Sequence, residues 1–399
     1  GEKTHGIEFI EEAIEQGCIA VLVDGKDFDC KVPSIRVDNL KAHLSTLAQN
    51  FYTSAKNLDL IAVTGTNGKT SVSHYISQLL DFLEVDNGVI GTLGMSKTEN
   101  KSINTTPDIF SIYSTLEEYS SNKVNIAVIE ASSHALMQGR LEGLSFSQGI
   151  FTNLTQDHLD YHKTMKSYLN TKLILFRKIL GKKSTIISNK EIPIFKILKQ
   201  IAKKKNLKIS NINKTLIKIK NNNLKFNEDF KIRNLAMAIE AAKLCGLKEK
   251  LIFKNLKKLK DVNGRLELVK RYPNDVKVFI DYAHTPDALF ESLKSLKNNY
   301  GNNISLVLGC GGERDQTKRP IMAKIANDNC KKIYITDDNP RNEKPQKIRT
   351  ELLKNISKNK SFNIGNRTSA IKKAILNADP QEVILIAGKG HEEKQIYKR

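Results

Sequence analysis

The residues with the clearest chemical meaning lie in "VTGTNGKTS", which follows an apolar run and precedes helix-like spacing. A strict phosphate-binding loop reads G-x-x-x-x-G-K-[ST]; here Val63 holds the first glycine position, and Gly65 comes two residues later. Gly65 and Gly68 still permit tight turns, and the following helix offers its positive N-terminus to an anion. An incidental glycine-rich turn is the alternative. We expect nucleotide binding, with ATP as the nucleotide, Lys69 at the β- and γ-phosphates, and Thr70 suited to Mg²⁺.

Two further strand ends carry groups that could hold a metal ion near those phosphates. "VIEASSHALMQGRL" places Glu130 at the end of a strand, and "TNLTQDHLDYH" places Asp157, His158, Asp160 and His162 after another. Mg²⁺ prefers oxygen ligands and often bridges carboxylates to phosphates, so Glu130 is a natural ligand. A helix cap or ion-pair partner is the ordinary alternative for Glu130, and a hydrogen-bonded loop histidine is the alternative for His158.

The elements that must position these residues are alternating strands and helices. From Leu58, the apolar segments "LIAVTG", "IAVIEA", "QGIFTN" and "STIIS" alternate with amphipathic helices, as in a parallel sheet covered on both faces. After "DVNGRLE" a second alternation carries "VKVFIDYA", "ISLVLGCGG", "KIYITDD" and "EVILIAGKG", which end at loops where open α/β sheets bind ligands. The segment 200–231 is expected to form short strands and loops, and "NLAMAIEAAKLCG" predicts a helix that stops at Gly246.

The length of 399 residues allows two or three domains. We predict a small α/β unit over 1–57, a central unit over 58–262 and a C-terminal unit over 263–399. The five cysteines are scattered and form no CxxC pair, which argues against a disulfide framework or a zinc site and suits a reducing cytosol. No apolar run approaches the roughly 20 residues that span a bilayer, and the start of the chain lacks a signal-peptide pattern.

The formal charge of +21 raises the possibility of a nucleic-acid partner. The excess is mostly lysine, alongside abundant Asn and Ile, and it concentrates around Lys196 to Lys220 and Lys248 to Lys260. Few aromatic residues are interleaved there to stack on bases. We therefore expect a solvated basic surface that helps to attract anionic substrates, and no nucleic-acid partner. A nucleic-acid-stimulated NTPase is the rival from another functional class.

Many motifs occur in an order typical of one known family. In sequence they are "TGTNGKTS", "NTTPD", "EASSHAL", "TNLTQDHLDYH", "YLNTKLILF", "GRLE", "DYAHTPDAL", "GCGGERDQTKRP", "DDNPRNE" and "AGKGHE". Together they resemble the Mur ligases, and within them the UDP-N-acetylmuramoyl-tripeptide synthetases, over essentially the whole chain. The resemblance implies an α/β, three-domain architecture with a partial N-terminal UDP-binding domain, a central P-loop ATPase domain and a C-terminal Rossmann-like domain. Compared with the family pattern, this chain lacks an N-terminal stretch that normally helps to hold the uridine and a short C-terminal helical segment, so a trimmed chain is expected.

The resemblance also implies roles for individual residues. The ATP contacts would be Gly65, Thr66, Asn67, Gly68, Lys69, Thr70, Ser71, Asn234, Arg265 and Asp281, and the last three would contact adenine, phosphate and ribose respectively. One Mg²⁺ would be bound by Thr70 and Glu130, and a second by His158. Lys172 matches the lysine that this family carboxylates with CO₂, because a carbamate offers oxygen ligands that an ammonium lacks. Lys69, His158 and Lys172 would form the catalytic set, although composition alone makes Lys172 an ordinary helix lysine.

Two substrate sites follow from the same resemblance. The UDP-sugar contacts would be Asn104, Thr105, Thr106, Ser132, Gln138 and Arg140. "NTTPD" also fits a helix N-terminus with a threonine cap and proline in the first turn, and both interpretations can hold. Before Asn234 the chain reads "DFKIRN", where the family usually has glycine, phenylalanine and asparagine.

The third amino acid would be bound by the C-terminal unit. Its contacts would be Arg314, Asp338, Asn339, Pro340, Arg341, Gly388 and Glu392. "DDNPR" matches the form associated with meso-diaminopimelate, and Arg341 offers a planar fork for the carboxylate that lysine lacks. Glu392 could pair with a substrate ammonium. A simple turn is the structural alternative for "DDNPRNE". For the function of the chain, the alternatives are the L-lysine-adding ligase and a folylpolyglutamate-synthase-like ligase.

The expected activity is therefore ATP-dependent amide formation through an acyl phosphate, in peptidoglycan precursor synthesis. The expected partners are small molecules, and the chain is expected to be a cytoplasmic monomer without membrane insertion.

Overall fold

The computed structural model describes residues 6–25, 30–98, 104–222 and 228–398. Its strands form one small and two large sheets. In chain order they are β1 Val21–Val23, β2 Ser34–Arg36, β3 Asp59–Thr64, β4 Asn87–Gly91, β5 Gly94–Met95, β6 Ile126–Glu130, β7 Phe146–Phe151, β8 Thr185–Ser188, β9 Lys208–Asn211, β10 Glu267–Arg271, β11 Lys277–Asp281, β12 Ile304–Leu308, β13 Lys332–Ile335, β14 Ser361–Asn363 and β15 Val383–Ala387.

Helices cover both faces of the large sheets. They are α1 Ile10–Glu15, α2 Leu40–Phe51, α3 Lys69–Asp81, α4 Ile109–Ser121, α5 Ser133–Met137, α6 Leu159–His162, α7 Met165–Ile174, α8 Phe195–Lys205, α9 Asn213–Lys220, α10 Asp229–Leu244, α11 Glu249–Asn255, α12 Pro286–Tyr300, α13 Lys318–Asn329, α14 Pro345–Leu353 and α15 Arg367–Leu376. Each described helix is too short or too polar to cross a bilayer.

The seven-stranded middle sheet has the order β5-β4-β6-β3-β7-β8-β9. All its neighbouring strands are parallel except the pair β4 and β5. Every residue of β6 is buried, and β3 is buried after its first residue, because helices pack on both faces. The register sets Val63 beside Glu130, so the phosphate loop and this carboxylate leave the sheet together.

The six-stranded C-terminal sheet has the order β10-β11-β15-β12-β13-β14. Only the edge pair β10 and β11 is antiparallel. The loops that follow β12, β13 and β15 therefore leave neighbouring strands at the same edge of the sheet. Both large sheets confirm the predicted α/β class with parallel strands.

The N-terminal region is less independent than the predicted boundary at residue 57 suggests. β1 and β2 form a separate parallel pair. Ala48 of α2 and Ala55 of the following 3-10 turn, however, are buried in one apolar core with Leu116 of α4. Helix α2 therefore packs against α4 of the middle unit. The domain boundaries remain predictions.

The lysine-rich segment 200–231 is more helical than predicted. It contains the end of α8, the single strand β9, all of α9 and the start of α10. The apolar spacing of α8 buries Leu198, Ile201 and Ala202 against the sheet, which outweighs the lysines around them. β9 ends the sheet, with Lys203, Lys204 and Lys208 exposed beside it.

Candidate active site

The phosphate loop joins β3 to α3, and two of its glycines have positive φ angles. Gly65 has φ 149° and Gly68 has φ 85°. A Cβ atom on Gly65 would lie 1.8 Å from Thr152 Oγ1, and one on Gly68 would lie 2.6 Å from Asn234 Oδ1. Both positions therefore require glycine. Asn234, for which an adenine contact was predicted, lies behind Gly68 and braces the loop. Three other predicted nucleotide contacts are buried in this loop and helix: Thr66, Thr70 and Ser71.

Two lysines meet at this loop. Lys172 is buried and Lys69 is partly exposed. The Nζ atom of Lys69 donates to Gly65 O and Thr66 O at 3.0 and 2.9 Å, and that of Lys172 donates to Gly65 O at 2.8 Å. Desolvation lowers the pKa of both amines, and the charge of Lys69 lowers the pKa of Lys172 further. Among the described residues neither amine forms an ion pair with a carboxylate, so positive charge is held where a phosphate group would bind.

Glu130 lies beside the loop and is surrounded by hydroxyl groups. Its Oε2 accepts hydrogen bonds from Thr70 Oγ1 and Thr92 Oγ1, both at 3.0 Å, and its Oε1 accepts from the Thr92 amide at 2.9 Å. A carboxylate and a hydroxyl in contact next to a phosphate loop are the oxygen ligands that Mg²⁺ prefers. Thr70 and Glu130 therefore fit the predicted magnesium site.

Arg265 reaches the same hydroxyl from the segment that links the two large sheets. Its Nη2 donates to Thr70 Oγ1 at 3.0 Å, and its guanidinium carbon lies 4.4 Å from the centre of the Tyr282 ring. The residues on either side, Gly264 and Leu266, have φ angles of 67° and 46°. This tight backbone brings the guanidinium to the phosphate loop, where a phosphate contact was predicted.

His158, the other predicted metal ligand, follows β7. Its Nε2 lies 3.2 Å from Asp157 Oδ2, and desolvation lowers the pKa of its imidazole to about 3, so the ring is neutral at neutral pH. Over the described ranges no cluster of three or more His, Cys, Asp or Glu side chains could hold a metal ion. A second ion would therefore depend on His158 and on an oxygen group added to Lys172.

The side chains predicted to hold the UDP-sugar form a connected group. Thr106 Oγ1 donates to Glu130 O at 2.6 Å and accepts from the Ser132 amide at 3.1 Å. Arg140 Nη1 donates to Thr106 O at 2.6 Å, and its Nε and Nη2 donate to Gln138 Oε1 at 3.0 and 2.6 Å. The structure thus brings four predicted contacts together beside the phosphate-loop carboxylate.

The remaining residues of this group lie before α4. Thr105 Oγ1 lies 3.1 Å from Thr92 Oγ1, whose hydroxyl proton is donated to Glu130, and Asn104 is exposed. The expected threonine cap of the helix was wrong. Asp108 is the cap, and its side chain accepts from the Ser111 amide at 3.0 Å. Because the helix begins after this aspartate, the threonines are left for loop contacts.

Two predicted nucleotide contacts connect the units of the molecule. Asn67 Nδ2 donates to Asp287 Oδ2 at 3.1 Å, which joins the phosphate loop to the first turn of α12. Asp281, predicted to contact the ribose, is buried. It accepts hydrogen bonds from the Leu266 amide at 3.2 Å and from the Ser292 hydroxyl, and burial raises its pKa. Its described contacts therefore brace the link between the sheets.

The predicted amino-acid contacts lie in the loops after β12, β13 and β15. Arg341 Nη1 donates to Gly312 O at 2.7 Å and to Asn339 O at 3.3 Å, and the Arg341 amide donates to Ile396 O at 3.0 Å. The described contacts of this guanidinium use Nη1, so its Nε and Nη2 edge can take a carboxylate. Two other members of the predicted set lie in the same loops, one exposed and one buried: Arg314 and Pro340.

Glu392 is held in a small polar network. Its Oε2 accepts from Asn339 Nδ2 at 3.0 Å and from Lys389 Nζ at 2.9 Å, and Lys389 also donates to Asn339 Oδ1 at 3.0 Å. Burial alone would raise the pKa of Glu392, but the hydrogen bond and charge of Lys389 outweigh it and the pKa is lowered. Gly388 approaches Asp338, since a Cβ atom on it would lie 3.0 Å from Asp338 Oδ2.

The sequence places Asp157 after β7, among groups that could hold a metal ion, but it does not predict the partners of this carboxylate. Its Oδ1 lies 3.3 Å from Lys318 Nζ, and its Oδ2 lies 3.2 Å from His158 Nε2 and 3.5 Å from His284 Nε2. Lys318 begins α13 and His284 follows β11, so both come from the C-terminal sheet. Local spacing shows Asp157 beside His158 but carries no signal for partners so distant in the chain. Lys389 was also missed; it bonds to Glu392, three residues later, and to Asn339, 50 residues earlier.

Comparisons with known proteins show the family to which the chain belongs. Residues 63–243 match the Mur ligase middle domain, and residues 264–390 match the Mur ligase glutamate ligase domain. A relative in Lactiplantibacillus plantarum named UDP-N-acetylmuramoyl-L-alanyl-D-glutamate--2,6-diaminopimelate ligase is 36% identical, with 100% of this chain and 86% of the relative covered. A Rickettsia bellii protein of the same name is 37% identical over 98% of this chain and 88% of its own length.

Solved structures show the same fold. A structure titled as the 2,6-diaminopimelate ligase has 29% identity and a TM-score of 0.61, covering 98% of this chain and 85% of its own. The folylpolyglutamate synthase of Mycobacterium tuberculosis has a TM-score of 0.68 at 13% identity, over 87% of this chain and 92% of its own, and shares the fold alone. The predicted resemblance is confirmed: the chain belongs to the Mur ligase family.

Proposed function

We propose that this chain is an ATP-dependent ligase that joins meso-2,6-diaminopimelate to UDP-N-acetylmuramoyl-L-alanyl-D-glutamate, in the cytoplasmic synthesis of peptidoglycan precursors. Relatives that carry the name of this ligase are 36–37% identical over nearly the whole chain. Arg341 supports diaminopimelate over L-lysine, because its Nε and Nη2 edge suits the carboxylate that lysine lacks.

The observation that carries the proposal is the direct contact between the phosphate loop and the C-terminal unit. Asn67 donates to Asp287 at 3.1 Å, and Gln156 Nε2 donates to Asp315 Oδ2 at 3.1 Å. These contacts bring the nucleotide site against the unit whose loops carry Arg341. Ligation of an activated acid to an amine requires both reactants to be held together in this way.

The first step activates the peptide carboxylate. A carboxylate oxygen of the D-glutamate residue bonds to the γ-phosphorus of ATP, the bond to ADP breaks, and an acyl phosphate forms. Both reactants are anions, so the ammonium of Lys69 reduces their repulsion and stabilises charge on the transferring phosphoryl group. A magnesium ion held by Thr70 and Glu130 supplies further neutralisation of this charge when bound.

The second step forms the amide. The amine of diaminopimelate attacks the acyl carbon, inorganic phosphate leaves, and the amine loses a proton. Arg341 would hold the distal carboxylate, and Glu392 would pair with an ammonium of the substrate, so that the reacting amine is oriented. No serine or cysteine nucleophile is needed, because phosphorylation and positioning provide the activation.

Lys172 would enter the site as a carbamate. Its lowered pKa favours the neutral amine, which is the form that attacks CO₂. A nitrogen–carbon bond would form as one C=O π bond of CO₂ opens, the amine would lose a proton, and the carbamate would carry oxygen ligands in place of the amine. This change would replace a buried neutral amine by a metal-binding anion.

A panel of amino acids tests the proposal. Phosphate release and amide formation would be measured with ATP, the UDP-dipeptide and either meso-diaminopimelate, L-lysine or L-ornithine. We expect amide formation with meso-diaminopimelate and little with the other two. A preference for lysine would refute the role of Arg341, and ATP consumption stimulated by a polynucleotide instead of the UDP-dipeptide would refute the ligase itself.

A further inference from the structure

We infer that Glu343 is a positioning residue for Arg341, because the two side chains hold opposite edges of one peptide group. The inference rests on the proposed function, in which Arg341 binds the distal carboxylate of meso-diaminopimelate. The peptide group joins Gly312 to Glu313, in the loop after β12. Arg341 Nη1 donates to its carbonyl oxygen, Gly312 O, at 2.7 Å, and Glu343 Oε1 accepts from its amide, Glu313 N, at 2.6 Å.

This peptide group has an orientation that the residue type at position 313 does not favour. Glu313 has a φ angle of 52°, in the left-handed region that residues other than glycine rarely adopt. Rotation of the peptide group by about 180° would bring this φ into the extended region and would exchange the carbonyl and the amide. Arg341 would then face an N–H group, to which a guanidinium cannot donate. The hydrogen bond to Glu343 opposes the rotation, since it requires the amide on the side of the carboxylate.

Arg319 holds the Glu343 carboxylate in place. Arg319 is 1% exposed, and its Nη2 donates to Glu343 Oε1 at 2.9 Å and to Gly311 O at 3.2 Å. Burial alone would raise the pKa of Glu343, but the hydrogen bonds from Arg319 and from the Glu313 amide outweigh it, and the pKa is lowered. The carboxylate therefore stays ionised, and an ionised acceptor forms a stronger hydrogen bond with the amide than a neutral one.

The consequence for the substrate is the direction of the Arg341 guanidinium. A Cβ atom on Gly311 would lie 3.0 Å from Arg341 Nη1 and 3.6 Å from Arg314 Cγ, so the two arginines flank the same turn. With Nη1 fixed on Gly312 O, the Nε and Nη2 edge keeps one direction for a carboxylate. A rotated peptide group would leave Nη1 with Asn339 O, at 3.3 Å, as its described acceptor, and the fork would lose that direction.

Glu351 provides a matched comparison. It pairs with the same guanidinium, since Arg319 Nη1 donates to Glu351 Oε2 at 2.7 Å. Glu351 lies on α14, and the described hydrogen bond of its side chain is the one to Arg319. Loss of either carboxylate removes one partner of a buried cation, but only the loss of Glu343 frees the peptide group that anchors Arg341.

The test separates recognition of the amino acid from stability. KM for meso-diaminopimelate, KM for ATP and thermal melting would be measured for the wild type, Glu343→Met, Glu343→Gln and Glu351→Met. Methionine has a similar length and no acceptor oxygen, whereas glutamine keeps an oxygen that can accept from the Glu313 amide. Glu343→Met would also be combined with Arg341→Lys.

We expect Glu343→Met to raise KM for meso-diaminopimelate by about 10-fold, because a hydrogen bond to a charged group is lost, and to leave KM for ATP unchanged. Glu343→Gln should recover most of this loss. Glu351→Met should lower the melting temperature as much as Glu343→Met does but keep the wild-type KM. In the Arg341→Lys background Glu343→Met should add little, since the two residues act on one contact.

Wild-type KM for meso-diaminopimelate in Glu343→Met would overturn the inference. So would an equal rise in Glu351→Met, no recovery in Glu343→Gln, or the full rise in the Arg341→Lys background. If Glu343→Met fails to fold, Glu343→Asp decides in its place, because it keeps the charge beside Arg319 but is one carbon shorter, and it should raise the same KM. A wild type that forms no amide with meso-diaminopimelate would refute the proposed function, and the inference with it.

Discussion

The phosphate loop and the loops after β13 and β15 handle charge in opposite ways. At the phosphate loop, the amines of Lys69 and Lys172 are both bonded to Gly65 O, and backbone carbonyls are their described acceptors. At the other loops Lys389 is paired with Glu392, and Arg349 is paired with Asp337.

This difference indicates how the phosphate loop and the amino-acid loops each bind their substrate. Positive charge without a carboxylate partner favours an arriving anion, because the anion supplies the missing compensation. Paired charges gain less from a charged ligand, so recognition at the amino-acid loops depends on the particular groups that keep a free edge, such as Arg341. Substitutions at the phosphate loop should therefore affect the reaction most, and those at the amino-acid loops should affect binding.

Replacing Lys69 by methionine should have the largest effect. Loss of its charge should lower turnover by about 10³-fold, since it stabilises the transferring phosphoryl group. Stability should be unchanged or higher, because a desolvated ammonium is removed. Phosphate release and thermal melting would check both expectations. Turnover within tenfold of the wild type would show that the unpaired charge of the phosphate loop does not affect the reaction more than the amino-acid loops do.

Lys172→Ala should follow, with turnover lowered by about 10²- to 10³-fold. Wild-type protein in ¹³C-labelled bicarbonate should show one carbamate resonance by NMR that the variant lacks. Lys166→Ala is the control, since Lys166 is exposed on the same helix. Full activity of Lys172→Ala would disprove the carbamate.

Arg341→Lys tests how the amino-acid loops recognise their substrate. A charge-assisted hydrogen bond contributes about 1.5–3 kcal/mol, so KM for meso-diaminopimelate should rise roughly 10- to 100-fold while kcat changes little. L-lysine is the control substrate, because it has no carboxylate for this fork, and its use should be unaffected. An equal loss with both amino acids would remove the specificity role of Arg341.

The smallest expected effect is a change in the pH dependence of KM for diaminopimelate. The pKa of Glu392 is lowered in the folded chain, so its carboxylate stays ionised, and its contribution to amino-acid binding is lost only as the pH falls below the usual Glu range near 4.3. Lys389→Met should raise this pKa, and KM for diaminopimelate should then rise at a higher pH.

The control for this measurement is Lys394→Met, since Lys394 is exposed near the same loop. Identical pH profiles for Lys389→Met and the wild type would show that the pair does not tune Glu392.

The parts of the site that were predictable from sequence are those formed by local order. The phosphate loop needs only a strand, two glycines and a helix start, and all lie between Asp59 and Asp81. Glu130 could be placed beside it because parallel strands end at one edge of the sheet. The resemblance supplied Lys172, whose burial no local pattern shows.

The remainder depends on contacts that join distant segments. The threonine cap was wrong because Asp108 competes better for the helix amides, and segment 200–231 was misread because its lysines hid the apolar face of α8. The partners of Asp157 are about 130 and 160 residues away, and such pairs are set by the docking of two folded units. No spacing within either segment encodes that docking.

The lysines beside β9 have a consequence for chains at high concentration. An edge strand offers unpaired backbone groups to other molecules, and charged side chains are a common defence against such pairing. Lys208 is exposed on this strand, and Lys203 and Lys204 are exposed at the end of the preceding helix, so two copies that approach through this edge should repel each other. At high protein concentration and low ionic strength, this electrostatic repulsion should therefore keep neighbouring molecules from associating through the edge. Added salt should screen the repulsion.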